Sequence, residues 1–144
     1  MNAIDKYLPT AARLFLGLVF TVFGLNFFLH FLPTPAPQPG AAAFAGALFA
    51  SVYLFPLLKT IEVVAGLLLL AGRFVPLSLA VLAPIIVNVL GFHLFLAPSG
   101  TPLALAILAA ELYLAWAHRA AFAPMLRSRT PLPQPEPAPR HAHA

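Results

Sequence analysis

The chain has 144 residues, 61% of them hydrophobic and only 8% charged, with a mean hydropathy of +0.92. Soluble domains carry about 25% charged residues, so this balance excludes an ordinary water-soluble enzyme and indicates a single domain buried in lipid. The net charge of +4 rests on few side chains with no basic patch among aromatics, which argues against a nucleic-acid partner; the absence of cysteine excludes disulfides, thiol relays and thiolate-held metals or iron–sulfur clusters within this chain.

Apolar runs at about 14–32, 54–72, 74–96 and 102–118 are each long enough to cross roughly 30 Å of hydrocarbon at about 1.5 Å per residue. The expected fold is therefore all-α, an integral membrane four-helix bundle occupying residues 1–125. The first run holds Asn26 and His30 and is too long and too polar for a signal-peptide core. After it comes a Pro-rich loop and then AAAFAGALFA, a segment suited to a short helix at the membrane interface, with Tyr53 at headgroup level. Pro56 and Pro76 fall in the first turns of the second and third runs, where proline is tolerated, whereas Pro84 lies inside the third and is expected to kink it. Residues 126–144 are rich in proline and poor in apolar side chains, the composition of a disordered cytoplasmic tail. His141 and His143 belong to that low-complexity end.

Basic residues orient the bundle. Lys6 and Arg13 precede the first run, Arg73 separates the second from the third, and Arg119, Arg127 and Arg129 follow the fourth, while the other two loops carry no charge. By the positive-inside rule both termini and the Arg73 turn are expected in the cytoplasm. That orientation places Asn26, His30, Lys59, Glu62, Asn88 and His93 in the outer half of the membrane and Glu111 near its middle.

These groups are costly in lipid. A lysine or acid at the centre of a span costs on the order of 2.5–3.5 kcal/mol on insertion scales, so the side chains are expected to turn inward and meet in one polar pocket. Asn26 and His30 stand four apart and Lys59 and Glu62 three apart, spacings that share a helix face; Asn88 and His93, five apart, do not on an ideal helix. Two acids against one lysine leave a carboxyl able to give or take a proton. Polar groups between spans also simply hold bundles together, for about a kilocalorie or less each. FGLNFFLHFLP and VNVLGFHLFLAP echo one another, which suggests two related hairpins, each with an acid on its second helix, Glu62 or Glu111.

RLFLGLVFTVFGLNFFLHFLP, YLFPLLKTIEVVAGLLLLAGRFVPLSL, APIIVNVLGFHLFLAP and AELYLAWAHRAAF, in that order, resemble a DoxX-type membrane protein over about residues 10 to 125; the stretch from Lys59 to Arg73 and the Asn88-x4-His93 motif are the most specific parts. The resemblance implies a small multi-pass protein of the bacterial inner (plasma) membrane, associated with terminal-oxidase or thiosulfate:quinone oxidoreductase systems; it implies no catalytic residue.

Several functions suit these features. The leading expectation is an accessory or scaffold subunit of a larger membrane complex, possessing a polar pocket and meeting lipid, other membrane subunits or further copies of itself through Phe15, Phe20, Phe23, Phe27, Phe28, Phe92 and Phe95. A redox component binding a quinone or another amphipathic molecule is the alternative, with His30, His93 and Lys59 as donors and Glu62 or Glu111 as proton relays. A proton-coupled transporter using Lys59, Glu62 and Glu111 is a further one. A bis-histidine haem at His30 and His93, or a metal held by His30, His93, Glu62 and Glu111, is the weakest.

Overall fold

The computed structural model describes residues 3–33 and 36–128, with side chains from Lys6 onward. Six α-helices follow in order: α1 Ala3–Leu29, α2 Pro39–Ala50, α3 Leu54–Ala71, α4 Val75–Phe95, α5 Thr101–Ala117 and the short α6 Arg119–Phe122, with 3-10 turns at Pro98–Gly100 and Ala123–Leu126. Four helical stretches are long and apolar enough to cross a membrane: Lys6–Leu29, Leu54–Ala71, Val75–Phe95 and Pro98–Ala117. The protein is thus an all-α, multi-pass bundle with lipid as its outer solvent. The tail residues 129–144, including His141 and His143, lie outside the described residues.

Helix α1 starts well before the expected Leu14, because hydropathy marks where hydrocarbon begins rather than where the helix begins. Its first turns carry exposed Lys6, Tyr7 and Leu8. It also stops at Leu29, short of Leu32. The Asn26 side-chain Oδ1 accepts a hydrogen bond from Leu32 N at 2.6 Å, and His30 enters the left-handed region at φ 51°. Asn26 thereby satisfies the amide of a residue just past the helix end and fixes the course of the chain as it leaves α1. Helix α4 runs through Pro84 without interruption.

The α3–α4 turn is built by local chemistry. Gly72 takes φ +67°, a conformation glycine adopts without steric cost, and its N–H donates to Leu69 O at 3.1 Å while Arg73 N donates to Leu68 O at 3.0 Å. This is the paired bonding of a Schellman end. Arg13 completes it from α1: its guanidinium Nη1 donates to Leu70 O at 3.0 Å and also to Leu69 O. A cation at a helix C-terminus satisfies orphan carbonyls and opposes the negative end of the dipole. Arg13 therefore ties the first helix to the end of the second span.

Around the bundle, α1 packs on α3 and α5, and α4 packs on α3 and α5. Lipid supplies no hydrophobic drive between helices, so close packing of small residues must hold them. Gly17, Thr21 and Gly24 on α1 face α3 at a distance that admits no extra methyl: a Cβ at Gly66 would stand 2.7 Å from Thr21 N and 3.0 Å from Gly17 O, and one at Gly24 would stand 2.7 Å from Val63 Cγ2. The half of the bundle nearest Arg13 and Arg73 is filled by Leu16, Leu69, Leu79, Leu82 and Leu114, each at most 1% exposed.

Candidate functional site

The opposite half is not filled. A cavity of about 410 Å³ opens there between the ends of the spans and α2, within the usual range of small-ligand sites, roughly 300–1,000 Å³. Val19, Phe20 and Phe23 of α1, Phe55 and Leu58 of α3, Ile85 and Val89 of α4 and Ile107 of α5 make its apolar walls; Lys59, Glu62, Asn88 and His93 are its polar groups.

Helix α2 forms the remaining wall. Its Phe44, Ala45 and Leu48 line the cavity, with the Phe44 ring 5.6 Å from that of Phe92 on α4. Phe49 of α2 is wedged between Phe27 of α1 and Phe55 of α3, at 5.8 and 4.8 Å between ring centroids. Such aromatic contacts are worth about 0.5–1.5 kcal/mol each beyond the area they bury. The segment expected to lie at the interface thus covers the cavity with one face and stays exposed over most of the rest, with phenylalanine contacts to α1, α3 and α4. Ser51 joins it to α3: its hydroxyl donates to Leu48 O at 2.6 Å and accepts from Leu54 N at 3.2 Å.

Lys59 and Glu62 form the charged floor. One turn apart on α3, they meet through Lys59 Nζ, which donates to Glu62 Oε1 at 3.0 Å and Oε2 at 2.8 Å. Glu62 is 2% exposed, whereas the lysine side chain retains 19%, so the carboxylate is the buried anchor and the lysine is the more accessible of the two cavity-lining groups. Lys59 Nζ also lies 5.6 Å from the Phe55 ring centroid. Of the three N–H groups on an ammonium, the carboxylate engages two, leaving one to donate into the cavity.

Asn88 lines the cavity and remains exposed, as do Phe23, Phe44, Leu54 and Leu103 around it, so the cavity is open along this rim. His93 lines it with one ring edge committed: Nδ1 lies 3.1 Å from Ala97 O. The five-residue spacing of Asn88 and His93 does not keep them from a common space, because the cavity wraps the end of α4 instead of touching one stripe of it.

The other residues expected in the pocket are elsewhere. Asn26 is spent on Leu32 at the end of α1, and His30 is exposed beyond that end; neither lines the cavity. Glu111, 5% exposed, borders a separate depression of about 120 Å³ with Leu79, Ala80, Ala83, Ala115 and Phe122. It sits past the middle of α5 on the side facing the start of α4, and its Oε2 has no hydrogen-bond partner among the described residues. Lys59 therefore pairs with Glu62 alone. The ligand set His30, His93, Glu62 and Glu111 is not assembled, for the same geometric reason: among the described residues no three His, Cys, Asp or Glu side chains come together as metal ligands. The two echoing stretches are likewise unlike in use, since Asn26 ends a helix while Asn88 borders the cavity.

Sequence reasoning did not identify α2 as part of the site; the sequence offers Gly66 and Gly72 as small residues able to seat a neighbouring helix, but not Gly17 and Thr21 of α1, the small-residue seam against which Gly66 packs. The seam had a signal, small residues four apart on α1. The α2 contribution had only its aromatics. No family model, curated protein or solved structure matches this chain.

Proposed function

We propose that this chain is a DoxX-like accessory subunit of a redox complex in the bacterial inner membrane, with both termini cytoplasmic, and that it contributes a binding cavity for a small, mostly apolar molecule with a polar end, such as a quinone. The observation that carries the reading is the cavity itself: aromatic and aliphatic walls around a Lys59–Glu62 pair whose carboxylate is buried and whose lysine is half-buried. An apolar slot with a few convergent polar groups is the usual form of a small-molecule site. Lys59 would donate to a ligand oxygen, Glu62 would hold the lysine in place, and Phe44, Phe55 and Phe92 would flank a ring.

The sealed leucine core toward Arg13 and Arg73 favours binding over transport. A cavity that closes in the middle of the bundle on Leu16, Leu69 and Leu82 has one end. The chain also lacks cysteine, so electrons would reach a bound quinone from a partner or another cofactor.

The test is purification of the full-length protein from its own membrane in mild detergent, followed by organic extraction and identification of co-purifying subunits. The expected result is an amphipathic molecule in near-stoichiometric amount together with a redox partner. Lys59→Met should lose the molecule while retaining the partner. A complex that carries no such molecule in either form leaves a scaffold subunit and defeats the binding role.

A further inference from the structure

The imidazole of His93 is held in one orientation by features that otherwise have no purpose. Gly100 has φ −89°, which any residue can adopt, so the backbone does not require glycine there. The His93 ring does: a Cβ at position 100 would lie 2.1 Å from both its Cε1 and its Nδ1. The ring is thus laid against the bare backbone of Gly100, and Thr101 Oγ1 donates to His93 O at 3.2 Å, fastening the same turn. His93 lines the cavity, and with Nδ1 engaged by Ala97 O its remaining nitrogen is Nε2.

The partner of Nδ1 decides what Nε2 can do. Ala97 O is a carbonyl and can only accept, so Nδ1 carries the hydrogen, and in the neutral ring Nε2 is a lone-pair acceptor. Among the described residues no protein group donates to it. Across the same cavity, Lys59 offers a donor. The polar groups therefore present opposite demands: one N–H seeking an acceptor, one lone pair seeking a donor.

Building on the binding role above, we propose that the cavity prefers ligands whose polar end is a hydroxyl, an apolar phenol or alcohol or the quinol rather than the quinone state of a redox ligand, with the hydroxyl hydrogen donated to His93 Nε2. A hydroxyl both donates and accepts, so it can meet either demand. A ligand ending only in a carbonyl or ether forgoes the hydrogen bond to His93, a contact worth about 0.5–1.5 kcal/mol net. Gly100 is a positioning residue for this contact.

The experiment compares 1-naphthol with 1-methoxynaphthalene, titrated by their own fluorescence into the full-length protein in lipid nanodiscs, with empty nanodiscs subtracted. Both probes can accept a hydrogen bond and only naphthol can donate one. Naphthol should bind about three- to tenfold tighter to the wild type. In His93→Leu the ratio should fall below about twofold, chiefly through weaker naphthol binding. Gly100→Ala, which displaces the ring without removing it, should lower the ratio as well, and helical circular dichroism reports whether each variant is folded. A ratio near one in the wild type, or one that survives His93→Leu, overturns the selection while leaving a binding cavity. No binding of either probe to the wild type overturns the cavity role and this inference with it.

Discussion

Replacing Gly66 with alanine adds one methyl at the closest approach of α1 and α3. The new Cβ would stand 2.6 Å from Thr21 Oγ1, 2.7 Å from Thr21 N and 3.0 Å from Gly17 O. A rotamer change could move the hydroxyl, but the amide nitrogen and the carbonyl are α1 backbone and move only with the helix. Restoring an ordinary contact of about 3.5 Å to Thr21 N needs a shift of roughly 0.8 Å, and a gap of 0.5–1 Å forfeits a quarter to a half of each contact's attraction along the seam. Overpacking of this kind typically costs about 1–3 kcal/mol. The loss is felt fully in a membrane because no hydrophobic force between helices compensates for it. The assay is unfolding by sodium dodecyl sulfate in mixed micelles, followed by helical circular dichroism. Gly46→Ala and Gly91→Ala are the controls: a Cβ at either meets nothing within 4 Å, so helix propensity alone operates and stability should be unchanged or raised, by up to about 1 kcal/mol. If Gly66→Ala unfolds with the controls, the close approach of α1 and α3 is not what holds this bundle.

The remaining predictions concern the Arg13 cap and the orientation. Arg13→Gln removes the cation from the Leu69 and Leu70 carbonyls and should destabilise by about 1.5–3 kcal/mol in the same assay, the range for hydrogen bonds from charged groups. Arg13→Lys, which keeps the charge and loses the fork, should fall between; an unperturbed Arg13→Gln would show the contact to be incidental. For orientation, the cysteine-free sequence makes any introduced thiol unique. Gln38→Cys and Ser99→Cys, both at exposed positions, should react with a membrane-impermeant maleimide on intact cells whose outer membrane has been permeabilised. Ser128→Cys should react only after lysis. The reverse pattern would invert the bundle and put the cavity toward the cytoplasm.

Much of this protein is a consequence of local chemistry and was therefore legible along the chain. The spans follow from apolar length, because in hydrocarbon a segment must satisfy its own backbone bonds and a helix alone does so within itself. The Lys59–Glu62 pair follows from a one-turn spacing on a single helix, and the end of α3 follows from Gly72. Which faces meet is another matter. A soluble helix announces its inward side by an apolar stripe, but a helix bathed in lipid is apolar all round and carries almost no such mark. Polarity was the only guide, and it misled wherever a polar side chain had work at its own helix end, as Asn26 does with Leu32, or turned to a different neighbour, as Glu111 does toward Leu79 and Ala83. Only the tertiary arrangement decided that α2 covers a cavity, that Gly66 admits Thr21 at contact distance and that His93 leans on Gly100. Each of these depends on shape matching between segments far apart in the chain, and shape is a property of surfaces that exist only once the helices are packed.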